Sequence, residues 1–264
     1  MEQLGVGKAG DLNRLQLTVD SLIKPRGYPV AFRMFKSESR EEDLIKARKY
    51  LQESRLALCQ IIKAVNVYGN PVLIERDTPQ ACADGEHVLG FHEHPESLAV
   101  NWEVIFGFSR ELHDKIVSDI IHVPFKTFNA VLFAPLSAFD DLQLPPDGVI
   151  FVVNGIQAEL MILNSYLATR NKPGWSYDGY AACEIVAALK NGNSPWLVTP
   201  CLGARSFAST QDDEIWLGFS IEMLKATAEA MQKNNMRYPP SVEQGILTPP
   251  LRDHIITRMM TRPD

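Results

Sequence analysis

At 264 residues the chain is long enough for one large domain or two small ones, and 45% hydrophobic with 22% charged residues describes an ordinary globular protein, neither disordered nor fibrous. A net charge of -6, from 26 basic against 32 acidic residues with no dense basic run, argues against nucleic acid, which needs a clustered positive face. No apolar run is long enough for a bilayer, and Met1-Glu2-Gln3 leads into a polar stretch unlike a secretory signal, so a cytoplasmic chain without membrane contact is expected.

Leu12, Leu15, Leu17, Val19, Leu22 and Ile23 predict a helix over Asp11 to Lys24, stopped by Pro25 and Gly27. Tyr28 to Phe35 alternates as a strand. Ser39-Arg-Glu-Glu42 has the capping-box form and opens a charged helix to about Gln52. A further helix from Ser54 carries Leu56, Cys59 and Ile62, with Cys59 on or beside its apolar stripe. Pro71 to Glu75 reads as a short strand. Thr78-Pro79 begins a helix or loop that carries Cys82 and ends near Gly90. Phe106 to Ile121 reads as helical.

The clearest strands are Ala130 to Pro135 and Val149 to Val153, with Asp140 to Asp147 between them as a linker or loop. Asn154-Gly155 then enters a helix from Gln157 to Thr169. Gly179 to Leu189 is a helix containing Cys183, Trp196 to Thr199 and Glu214 to Phe219 are strands, and Ile221 to Gln232 is a helix. Intermixed elements of this kind imply an α+β or mixed α/β fold, one composite domain over residues 1–264 with a mixed sheet flanked by helices. The proline-rich loop at 140–148 is the best internal boundary. The tail over 234–264, with Pro239-Pro240 and Pro249-Pro250, reads as an extended proline-rich arm suited to homo-oligomer contact.

The chain lacks a Walker loop, a G-x-S-x-G elbow, H-E-x-x-H and C-x-x-C. His92-Glu-His94, with His87 close by, is the densest imidazole group; two histidines two apart on an extended segment point the same way and are candidate metal ligands that need partners from elsewhere. The four cysteines, Cys59, Cys82, Cys183 and Cys201, are dispersed, and a lone cysteine is most often an inert core residue. Cys201 fits that description least, because Pro200 and Gly203 flank it and Arg205 is placed to lower a thiol pKa or bind an anion.

Tyr28-Pro-Val-Ala-Phe32, Leu58-Cys-Gln60, Cys82 leading to Leu89-Gly-Phe91, Tyr177-Asp-Gly179, Ala182-Cys-Glu184 and Pro200-Cys-Leu-Gly-Ala-Arg205 with Phe207-Ala208 together resemble the bacterial and archaeal domain-of-unknown-function family 169, from about Gly27 to about Glu229. The resemblance implies that all four thiols belong to a family pattern, though no activity is assigned to that family. In the Cys82 block this chain reads Cys-Ala-Asp-Gly-Glu-His, a departure from the more glycine- and alanine-rich form usual there.

Four thiols that converge would suit an iron–sulfur cluster or zinc; three would leave an iron open as Lewis acid or reductant; two would favour redox thiols or a nucleophile. Trp175, Tyr177, Tyr180 and Phe207 are candidates for a pocket around a planar or aromatic ligand, Arg205 for its carboxylate, and Glu184 or Asp178 for proton transfer. The leading expectation is a small-molecule enzyme, a lyase, decarboxylase or reductase, with a cysteine-bound metal centre. The alternatives are a non-catalytic binding protein with structural thiols and a metal-free enzyme with Cys201 as nucleophile.

Overall fold

The computed structural model describes residues 10–36, 41–51, 55–95, 107, 109–176 and 180–239. Seven strands form one sheet: β1 (Val30–Lys36), β2 (Val72–Glu75), β3 (Phe128–Pro135), β4 (Gly148–Val153), β5 (Gly174–Ser176), β6 (Trp196–Val198) and β7 (Ile215–Phe219). Their order is β2-β3-β1-β4-β7-β6-β5. Every pairing is antiparallel except that of β5 with β6, so the sheet is mixed.

The helices are α1 (Asp11–Ile23), α2 (Glu41–Arg48), α3 (Leu58–Tyr68), α4 (Ala83–Val88), α5 (Arg110–Asp119), α6 (Ala138–Leu142), α7 (Gly155–Thr169), α8 (Ile185–Lys190), α9 (Leu202–Phe207) and α10 (Ile221–Lys233), with a 3-10 turn at Ala182–Glu184. The two sheet faces carry separate cores because strand side chains alternate. Val30, Phe32 and Met34 of β1 join Ile150 and Val152 of β4 under α3, α4 and α8. Ala31 and Phe35, with Val149, Phe151 and Val153, face α1, α7 and α10. β4 is buried along its whole length, which accounts for its unbroken apolar run.

The mixed sheet flanked by helices is as the sequence implies, but some elements differ. Asp140 to Asp147 is no free linker. Phe139 and Leu142 of α6 are core residues, and Asp140 accepts hydrogen bonds from the Leu12 and Asn13 amides at 3.3 and 2.7 Å, supplying the cap that Gly10 cannot offer α1. The polar run concealed the two apolar anchors. β3 and β4, on either side of it, both pair with β1. The single helix expected over Gly179 to Leu189 is instead the 3-10 turn followed by α8, a tighter start common at helix ends. The expected capping residues Ser39 and Arg40, and the arm beyond residue 239, lie outside the described residues.

Asp147 locks the centre of the sheet to α8. Its carboxylate accepts from the Met34 amide at 2.8 Å, Arg33 at 3.0 Å and Lys190 at 2.9 Å, and its side chain is only 9% exposed. Removing the carboxylate leaves the Met34 amide without its acceptor, while the partly exposed Arg33 and Lys190 turn to water. Asp147→Ala is therefore expected to cost about 2 kcal/mol, read as a lower urea midpoint with an unchanged slope; an unchanged midpoint would show that the cluster adds nothing to stability.

Candidate functional site

All four thiols lie in the core of one sheet face. Cys59 and Cys183 are buried within it, and Cys82 and Cys201, half-buried, pack against it. Each comes from a different segment: Cys59 from the first turn of α3, Cys82 from the N-cap of α4, Cys183 from the 3-10 turn and Cys201 from the N-cap of α9. The Cys201 sulfur accepts from the Ala204 amide at 3.4 Å, so the unusual Pro-Cys-x-Gly stretch is a helix start.

Local contacts draw these segments together. The Ala81 amide donates to the Leu56 carbonyl at 3.1 Å, and Arg55 Nε donates to the Gln80 carbonyl at 2.7 Å. Both tie the turn before Cys82 to the start of α3. At the other side, Gln60 Nε2 donates to the Phe207 carbonyl at 3.2 Å, joining α3 to the end of α9. Gly85 sits where a Cβ would lie 2.7 Å from Gln80 Oε1 and 2.9 Å from Leu58 Cβ, so only glycine lets α4 close on α3.

Electrostatics record the convergence. Burial pushes Cys59 up to about 12, with Cys201 the next cause. Cys82 is likewise pushed to about 12, by burial first and then by Asp84, with Cys59 adding to the rise. Cys183 stands well above the usual thiol value through burial, followed by Cys82, Cys201 and Cys59. At neutral pH these three are protonated and inert as nucleophiles without a bound cation. As it stands, no group of three or more His, Cys, Asp or Glu among the described residues is set to hold a metal ion. The donor set nonetheless suits a soft metal: four thiols on one face with a carboxylate beside them.

The other residues singled out in the sequence divide. Tyr180 belongs to the thiol group, its phenol raised by burial and by Asp84, Cys82 and Cys201. Glu184, 3% exposed, accepts from the Ile121 amide at 3.2 Å. Arg205 donates to the Gln211 carbonyl at 3.1 Å and to Asp212 at 3.4 Å, so its guanidinium is held by the following loop. Trp175 and Phe207 are 71% and 66% exposed. Tyr177 and Asp178 lie outside the described residues.

Asp84 is the group that sequence reasoning missed. Its Oδ2 is 3.5 Å from the Cys82 sulfur and its Oδ1 is 3.0 Å from His94 Nε2, so one carboxylate joins the thiols to a set of imidazoles. The expected His92 and His94 pair is separated, because residues 91–95 form a bend and not a strand. His92 turns outward to the Arg76 carbonyl at 3.2 Å. His94 turns inward to a cavity of about 350 Å³ lined by His87, His113 and His122 as well. The fold brings together histidines up to 35 positions apart, and no local spacing announces it.

His87 is 7% exposed, and burial, then His122 and His94, lower its pKa from 6.5 to about 4. Between those values the unfolded chain binds a proton that the folded chain does not, so stability rises with pH there. The metal-free protein is expected to hold its full stability above pH 6.5 and to lose about 2–3 kcal/mol as pH falls toward 4. Urea unfolding of wild type and His87→Leu across that range checks it; parallel pH profiles would assign the acid loss to other groups.

Three comparisons place the chain among known proteins. Residues 18–230 match DUF169, a family described as uncharacterised ArCR. An uncharacterized protein of Methanocaldococcus jannaschii, MJ0308, is 23% identical over 84% of this chain and 95% of its own length. No solved structure matches. The family match spans most of the sheet and all four cysteines, and the chain belongs to DUF169.

Proposed function

We propose that the chain is an oxidoreductase acting on a small molecule, with Cys59, Cys82, Cys183 and Cys201 as the ligands of an iron–sulfur cluster. The observation that carries this reading is the convergence of four thiols from four separate segments on one sheet face. Four thiolate ligands complete the protein coordination of the common clusters, which favours electron transfer over the Lewis-acid chemistry that an open iron would serve in a lyase. Such a cluster supplies single electrons at a potential set by its surroundings.

The chain's own residues define those surroundings. Apolar side chains such as Leu58, Ile62 and Val186 keep water from the thiols. In the metal-free chain Asp84 accepts from the Cys82 thiol, a bond that is given up when that thiol loses its proton to a metal. Cys201 lies at the outer edge, where α9 also presents Leu202 and Phe207, each about two-thirds exposed, and the partly exposed Arg205. An aromatic or carboxylate-bearing substrate would find an apolar ring and a cation at that edge. Free thiols and the lack, among the described residues, of any helix long and apolar enough to cross a membrane are compatible with work in a reducing compartment, the cytoplasm.

Purification without oxygen is expected to yield a brown protein containing iron and acid-labile sulfide, and Cys183→Ala is expected to lose both. Zinc without sulfide would reassign the thiols to a structural metal site. A colourless, metal-free protein of unchanged stability would overturn the reading.

A further inference from the structure

The cavity beside Asp84 contains more ordered chemistry than a chance gathering of histidines. His87 contacts His122 and His94 with ring centroids 4.8 and 6.1 Å apart, and His94 contacts His113 at 5.3 Å. Two imidazoles sharing a tetrahedral ion at 2.0–2.1 Å would have centroids about 5 Å apart. The His87–His122 and His94–His113 pairs have that spacing, and the His87–His94 pair that links them is about 1 Å wider.

Each outer ring is oriented by an acceptor. His94 Nε2 meets Asp84 Oδ1 at 3.0 Å, His113 Nδ1 meets Asp114 Oδ1 at 3.1 Å, and His122 Nδ1 meets the Val123 carbonyl at 2.9 Å. A carboxylate or carbonyl only accepts, so the nitrogen facing it carries the hydrogen and the other nitrogen of the neutral ring carries the lone pair. This is the arrangement found behind metal-bound histidines, where the far N–H donates to a carboxylate or carbonyl. The His94 nitrogen left over, Nδ1, is buried without a hydrogen-bond partner, and so are both nitrogens of His87. A buried acceptor in that condition is costly unless a donor or a cation meets it.

We propose that His87, His94, His113 and His122 bind one divalent first-row transition-metal ion of the zinc class, with Asp84, Asp114 and the Val123 carbonyl orienting three of the rings. Imidazole nitrogen is the donor such ions share. The carboxylates of Asp84 and Asp114 set behind the rings favour a cation over an anion, and Arg110, which also lines the cavity, is itself 3.6 Å from Asp114. No three donors are yet set to hold the ion, and the ring pairs are tilted by 62°, 77° and 58°. Binding would therefore require the rings to turn about the broad torsion that joins each to its Cβ. The site is chemically separate from the thiols, sharing only Asp84 with them.

The test is a titration of the full chain with cobalt(II), after treatment with chelator, followed by visible absorption and calorimetry, with zinc(II) in competition. Wild type is expected to bind one equivalent more than His87→Ala and His113→Ala, which keep any absorption due to thiolate–cobalt bonds. Asp114→Asn changes an exposed carboxylate outside the core and is expected to keep the fold while lowering affinity about tenfold. Affinity should also fall with pH, because protons compete for the imidazoles. Equal cobalt binding by wild type, His87→Ala and Asp114→Asn, or a spectrum arising from thiolates alone, would overturn the proposal. A chain lacking iron would leave this outcome intact, so the two sites fail separately.

Discussion

The close approach of α4 to α3 at Gly85 is the constraint on which both candidate sites depend. A side chain there would meet Gln80 and Leu58 at under 3 Å. Because nothing intervenes, the α4 N-terminus lies against the start of α3, so Cys82 and Asp84 reach the same buried region as Cys59. The turn before α4 is held by its bonds to Arg55 and Leu56, so the approach is fixed from both ends. The thiol face is thus built by short helices that have little stability of their own and take it from packing.

Asp84 then turns one cluster into two. A carboxylate that faces a thiol on one oxygen and an imidazole on the other stands between soft sulfur donors and borderline nitrogen donors. Burial raises Cys59, Cys82 and Cys183 and lowers His87, and both shifts leave the groups neutral. Neutrality has a common physical origin here: apolar surroundings penalise charge, and the few charges present are placed to orient polar groups.

The fold was legible where one signal dominated. β4 declared itself through an unbroken apolar run, and α7 through Asn154 and Gln157, which cap each other at 3.0 and 2.8 Å. Six-residue α9 escaped, since so short a segment shows no periodicity and its first residue, Cys201, is not a usual cap. The cysteines were readable as candidates because thiols are few and the family pattern includes them. Their convergence was not, since the strand pairings that place α3, α4, α8 and α9 on one face join positions far apart in sequence. The histidines were harder still: His92-Glu-His94 was conspicuous by spacing, yet the hydrogen-bond partner of His94 is Asp84, ten positions earlier on a helix.

The partition of donors between the two clusters limits what each can do. Thiols enclosed by Leu58, Ile62 and Val186 must lose protons to bind a metal, which ties occupancy to a soft ion that holds thiolate strongly. His87 is held neutral by burial, and Asp84, Asp114 and the Val123 carbonyl each face one nitrogen of His94, His113 and His122 and leave the other for a cation, so a divalent ion would enter there without displacing a thiol proton. Under these two proposals, donor chemistry and burial would separate two kinds of ion across a single aspartate. An arrangement in which Asp84 faced only the thiols would leave His94 without its acceptor, while Asp114 and the Val123 carbonyl would still orient His113 and His122.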